Sequence, residues 1–164
     1  MLNNIKLIVY DFDGVMTDNR VIVREDGIES VIVSRADGMG VGIIMEMGIP
    51  QVILSSETNR IVSLRAKKLG IPVLQGVDDK KTALLNYCKD NNYNPSGILY
   101  VGNDVNDEGV MKAVGYSVAT ADAHHSIKSL AQMVLDTKGG QGVVRELADK
   151  IEGISSTLNE KNKR

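Results

Sequence analysis

The chain has 164 residues, 43% of them hydrophobic and 24% charged, with a formal charge of −2. This is the make-up of one globular domain, without the basic footprint that nucleic acid or an anionic membrane would require. The single cysteine, Cys88, excludes an internal disulfide and a multi-cysteine zinc site, and no stretch is apolar for long enough to span a bilayer.

Met1 leads almost at once into an apolar run over 7–10, so no signal peptide is expected and the cytoplasm is the expected location. That run ends on "DFDGV", with Asp11 and Asp13 two residues apart. The segment 20–35, "RVIVREDGIESVIVSR", reads as a β-hairpin turning at Glu25–Asp26–Gly27. Helical spacing over 39–47 stops at Gly48, and a strand over 51–55 ends on Ser55. A helix over 59–69 closes at Gly70, a short strand follows over 72–74, and Lys80 opens a helix over 80–90 that places Cys88 in the core. The run 97–101 feeds "GNDVND", then a helix over 107–113, a strand over 116–119, a helix over 126–131 and a weak strand over 133–135. A helix over 143–151 ends the domain, and the polar residues 153–164 are expected to fray.

The strands are continuous apolar runs rather than alternating ones, which suits parallel strands covered on both faces. Strand and helix alternating at this pitch predict an α/β fold: a doubly wound, Rossmann-like parallel sheet in one domain, 1–152, with the hairpin projecting from it and no large cap domain.

In such sheets ligands bind beyond the carboxyl ends of the strands. Asp11 and Asp13 lie there, and two carboxylates held close repel each other unless a hard cation such as Mg²⁺ joins them. Asp104 and Asp107 follow a second strand at the same edge, and Ser55 ends a third. Lys80 at a helix start opposes the helix dipole, a mild cost that points to a local anion. Carboxylates for a metal, a hydroxyl and an ammonium are together fitted to holding a phosphoryl group.

These residues resemble the four motifs of the haloacid dehalogenase superfamily phosphatases, in order: "DFDGV", "ILSSE" with Ser55, Lys80 in "GVDDKKTALL", and "VGNDVND". "ADGMG", "ADAHH" and "GGQGVVRE" narrow the resemblance to the capless phosphatases of 2-keto-3-deoxy sugar acid phosphates. "SSETN", "LRAKKLGI" and "VGNDVND" look closer to the nine-carbon branch, the nonulosonate 9-phosphate enzymes, than to the 3-deoxy-manno-octulosonate 8-phosphate enzymes, which stand as the alternative.

The resemblance implies an aspartyl phosphate on Asp11, with Asp13 as general acid and base. It implies Mg²⁺ held by Asp11, Asp13 and Asp104, a phosphoryl contact from Ser55, and Lys80 oriented by Asp107. It also implies a homotetramer built on the hairpins, with 139–146 reaching a neighbour's site. Ser56, Glu57, Arg65, Lys68 and Arg145 are the candidates for binding the sugar acid. The sequence departs from relatives at Ala36, where a basic residue is usual, at Ser56-Glu57 in place of Gly-Arg, and at Asn103, where many have Asp. Two other classes use parts of this residue set. A receiver domain carries its acceptor on a later strand than its acidic pair, and a degenerate tetramerisation module has no need of the retained acids and lysine.

Overall fold

The computed structural model describes residues 4–161, with side chains through Gly153. Its frame is a six-stranded, all-parallel sheet. The strands are β1 (Leu7–Tyr10), β4 (Gln51–Leu54), β5 (Val73–Leu74), β6 (Ile98–Gly102), β7 (Tyr116–Ala119) and β8 (Met133–Val134). They lie in the order β5-β4-β1-β6-β7-β8. The chain therefore leaves β1 in one direction for β4 and later returns to its other side for β6, which makes the carboxyl end of β1 the topological switch point. The antiparallel hairpin of β2 (Ile22–Val23) and β3 (Glu29–Ser30) stands outside this sheet.

Continuous apolar strands feed two cores because successive side chains point to opposite faces. Ile8, Tyr10, Ile53, Leu99 and Val101 enter one core. Leu7, Val9, Val52, Leu54, Ile98 and Tyr100 enter the other. The first is covered by α1 (Arg35–Glu46), α2 (Ile61–Leu69) and α6 (Val143–Lys161), the second by α3 (Lys80–Asp90), α4 (Glu108–Met111) and α5 (His125–Leu130). The doubly wound fold expected from the sequence is the fold observed.

Two helix bounds differ most from the sequence reading. Helix α1 starts four residues before the 39–47 pattern because Ser34 caps it, its hydroxyl accepting from Ala36 N at 3.1 Å. Helix α6 runs on through Lys161, so the tail expected to fray is helical up to there; residues 162–164 lie outside the described residues. Helices α1 and α6 approach closely at Gly40, where a Cβ would stand 2.6 Å from the backbone of Val144 and Arg145.

Candidate active site

The carboxyl ends of β1, β4 and β6, adjacent in the sheet, open on one polar cavity of about 360 Å³. β1 delivers Asp11 and Asp13, β4 delivers Ser55, Ser56 and Glu57, and β6 delivers Asn103 and Asp104. Lys80 comes in from the first turn of α3, whose N-cap, Asp79, accepts from Thr82 N at 3.1 Å.

Lys80 is 3% exposed, a burial a lysine tolerates only when paired. Its Nζ lies 2.8 Å from Asp11 Oδ1 and 2.7 Å from Asp107 Oδ1. Burial pushes this ammonium down, but the charges of Asp11 and Asp107 outweigh it and leave its pKa raised. The lysine is thus held cationic, which resolves the dipole cost noted in the sequence.

Asp107 is fully buried and accepts four hydrogen bonds. Tyr100 Oη donates to Oδ1 at 2.6 Å, beside Lys80, and Asn103 N and Asp104 N donate to Oδ2 at 2.8 and 3.2 Å. It therefore orients both the lysine and the loop after β6. Tyr100 was missed in the sequence because it sits inside an apolar strand, where an aromatic ring is unremarkable.

Asp11 Oδ1 also accepts from Phe12 N at 2.7 Å. Burial first, then repulsion from Asp107, raises the Asp11 carboxyl to about 7. Asp13 is raised as well, by burial most, while a hydrogen bond from Thr17 pulls it back and Glu57 pushes it up. Thr17 Oγ1 accepts from Gly14 N and Asn19 N and donates to Asp13 Oδ1, each at 3.2 Å. Its one proton is thereby aimed at Asp13.

The glycine of "DFDG" has a direct reason. Gly14 has φ 81°, and a Cβ there would fall 2.0 Å from the Asn103 amide. That amide stands against the Asp13 carbonyl oxygen and Asp11 Oδ2. With its nitrogen turned inward it donates to them at 2.9 and 3.1 Å. With its oxygen turned inward three oxygens converge, an arrangement that only a cation makes favourable. Among the described residues no three acidic, imidazole or thiolate side chains form a metal cage. The oxygen set that fits Mg²⁺ is mixed: a carboxylate, a backbone carbonyl and an amide. Asp104 is exposed at the rim, with Oδ1 accepting from Val105 N at 2.7 Å. Asn103 was read in the sequence as a departure, not as a ligand; only the fold turns it toward Asp11.

Among the candidate substrate residues, Ser56 and Glu57 line the cavity. Arg65 and Lys68 line a different one, with Arg35, between α1 and α2, and the two cavities share no residue. Arg65 Nη2 donates to Ser34 O at 2.8 Å. Arg145 lines neither cavity; its Nε donates to Asp149 Oδ1 at 3.0 Å, one helical turn on along α6. In the segment 139–146, expected to reach a neighbour, Gly139 and Gly140 seat on the chain's own loop. A Cβ on Gly139 would be 2.3 Å from Gly14 O, and Gly140 N donates to Val15 O at 3.0 Å. Asp37 fixes this brace from behind: it is fully buried and accepts from Val144 N at 2.9 Å.

A buried lysine between two aspartates, at the meeting point of three parallel strands, is a phosphoryl-transfer constellation. A family model described as haloacid dehalogenase-like hydrolase matches residues 40–147. The chain belongs to the haloacid dehalogenase-like hydrolases. It is 36% identical over 149 residues, 90% of its length and 80% of the relative's, to the 3-deoxy-D-manno-octulosonate 8-phosphate phosphatase KdsC of Yersinia pestis. A crystal structure of a HAD family hydrolase from Streptomyces avermitilis superposes with a TM-score of 0.88 at 44% identity, covering 90% of this chain and 85% of that one. The 3-deoxy-D-manno-octulosonate 8-phosphate phosphatase from Moraxella catarrhalis, solved with magnesium ion, phosphate ion and KDO, superposes with a TM-score of 0.87 at 27% identity, covering 96% and 95%. This hydrolase is a phosphatase, and Mg²⁺ is the cofactor of its class. Among its described residues no helix is long and apolar enough to cross a membrane.

Proposed function

We propose that this phosphatase hydrolyses the phosphate monoester of a 2-keto-3-deoxy sugar acid through an aspartyl phosphate on Asp11. The observation that carries the chemistry is Lys80, buried between Asp11 and Asp107 on the cavity that Asp13 and Ser55 also line. The first candidate substrate is 3-deoxy-D-manno-octulosonate 8-phosphate, supported by near-full-length likeness to enzymes of that name. It displaces the nine-carbon substrate favoured by the short motifs, because agreement over 90% of the chain outweighs agreement over a few short stretches.

Asp11 attacks phosphorus while Lys80 offsets the meeting of two anions. Asp13 protonates the departing sugar oxygen, then takes a proton from the water that attacks the phosphoryl-enzyme. Ser55 Oγ accepts from Glu57 N at 3.1 Å, so its hydrogen is available to a phosphoryl oxygen. The Asp11 carboxylate, the Asp13 carbonyl and the Asn103 amide oxygen would hold Mg²⁺, with the charge of Asp104 nearby. When bound, the cation neutralises charge on the phosphate and opposes the burial that raises Asp11.

The sugar acid is read across chains. Glu57 lies on the catalytic cavity, whereas Arg65 and Lys68 line another, so they meet on one substrate only where a second chain docks. The hairpin supplies the docking face: Val21, Ile22, Val23, Ile28 and Ile32 are all about half exposed or more. A homotetramer assembled through these faces is the proposed form. The Glu57 carboxylate beside the phosphate site, in place of the more usual arginine, favours a second reading, the nine-carbon nonulosonate 9-phosphate.

Phosphate release from a panel of eight- and nine-carbon keto-sugar acid phosphates tests the proposal. Fastest turnover of the eight-carbon ester, abolished by chelation and restored by Mg²⁺, is expected. Fastest turnover of a nine-carbon ester would establish the second reading. Turnover of ordinary sugar phosphates alone would refute both.

A further inference from the structure

Asn19 is held in the left-handed backbone region, with φ 63°. Asparagine tolerates this conformation better than other residues with side chains, but glycine adopts it freely. Its N–H is spent on Thr17 Oγ1, whereas its exposed side-chain amide makes no hydrogen bond among the described residues. The position is a threshold. The catalytic cavity abuts a second one of about 260 Å³, between the hairpin and α2, and the two share Asp13, Asn19 and Glu57.

The second cavity has the chemistry of a polyol. Val31 and Ile61 offer apolar wall to C–H groups, and Glu29 and Glu57 offer acceptors to hydroxyls. Its entrance is also fixed by the reaction. A general acid must stand at the leaving oxygen, so the carbon chain of the leaving group begins at Asp13, where the second cavity opens.

We propose that Asn19 is a specificity-determining residue, its carboxamide hydrogen-bonding the leaving group's hydroxyls as they pass from Asp13 into the second cavity. This rests on the reading of the substrate as a sugar acid phosphate. A neutral amide both donates and accepts, and it does not repel the phosphate; a carboxylate there would only accept, and it would repel the phosphate.

The test compares the full-length enzyme with Asn19→Gly and Asn19→Asp, in Mg²⁺, on the best keto-sugar acid phosphate and on an aryl phosphate that has no hydroxyls to read. Glycine suits the backbone, so Asn19→Gly should fold with an undiminished melting temperature. Its kcat/KM on the sugar ester should fall about tenfold further than on the aryl ester, through KM more than kcat. Asn19→Asp should lose at least as much on the sugar ester. Equal losses on both esters would make Asn19 a loop residue only, and unchanged kcat/KM on the sugar ester would refute the contact; either result overturns the inference while leaving the proposed function standing. A wild-type enzyme that hydrolyses the aryl ester but no keto-sugar acid phosphate overturns the proposed function, and this inference with it.

Discussion

The rim of the sheet and the hairpin are built on opposite principles. At the rim the central ionised groups are buried against partners: Lys80 between Asp11 and Asp107, and Asp107 under four donors. On the hairpin several apolar side chains face outward, Val23 66% exposed and Ile32 59%. Asn59 Nδ2 donates to Glu29 on its second strand at 3.1 Å. One region has its groups paired within the chain, and the other leaves apolar side chains exposed. The difference suggests a division of labour: phosphoryl transfer is intrinsic to each chain, and substrate choice depends on assembly.

The sharpest break in the first half is Asp11→Asn. It should lower turnover by at least roughly a thousandfold on every phosphate ester, with the fold intact because Lys80 keeps Asp107. Retained activity would remove the aspartyl phosphate from the account. Next comes Asp107→Ala, which strands Tyr100 Oη and two backbone N–H groups and leaves Lys80 with one carboxylate. A loss of about 3–5 kcal/mol in denaturant unfolding is expected. A loss under about 1 kcal/mol, the scale of an exposed pair, would show that the network is solvated rather than buried.

The hairpin is tested by Ile22→Ser with Val23→Ser. Sedimentation should show smaller species, and efficiency on the keto-sugar acid phosphate should fall roughly tenfold, more than on an aryl phosphate. An unchanged assembly would place the interface elsewhere.

The smallest effect separates brace from catalyst. Burial raises Asp37 to about 6, from an ordinary 3.8, although Val144 N and Arg65 pull it back. A carboxyl raised in the folded state contributes its stability fully below its unfolded pKa and loses it as pH rises through the folded one. The window is therefore about pH 4 to 6. Asp37→Asn keeps the acceptor for Val144 N and removes the charge. Its melting temperature relative to wild type should rise by several degrees between pH 4 and pH 7. A difference flat with pH would mean that Asp37 is not neutralised on burial.

How much of this was legible in the sequence follows from what kind of interaction each feature rests on. The Asp11–Asp13 pair, Ser55 and Lys80 follow apolar runs or open a helix, and the topology of a parallel sheet brings such positions together whatever the details. Asn103 was not legible as part of the oxygen cluster, because its role depends on a side-chain rotation above Gly14. Nor was the seat of Gly139 and Gly140: two glycines announce a close approach, but not that the surface approached is the chain's own catalytic loop. Arg145 was read as a candidate for the sugar acid, and its pairing with Asp149, one turn on along the same helix, was not read from the sequence. The early start of α1 was hidden because "SRAD" carries a cap but no apolar stripe.

The division of labour is tested most directly by complementation. An Asp11→Asn chain keeps Arg65 and Lys68 but cannot turn over; an Arg65→Ala, Lys68→Ala chain keeps the rim but cannot complete a neighbour's sugar acid site. Co-expressed with two different tags and purified as mixed assemblies, the pair should hydrolyse the keto-sugar acid phosphate several-fold faster than the sum of the two parents measured alone. Mixed assemblies no faster than that sum, or an active enzyme that sediments as a monomer, would contradict a site completed by a second chain.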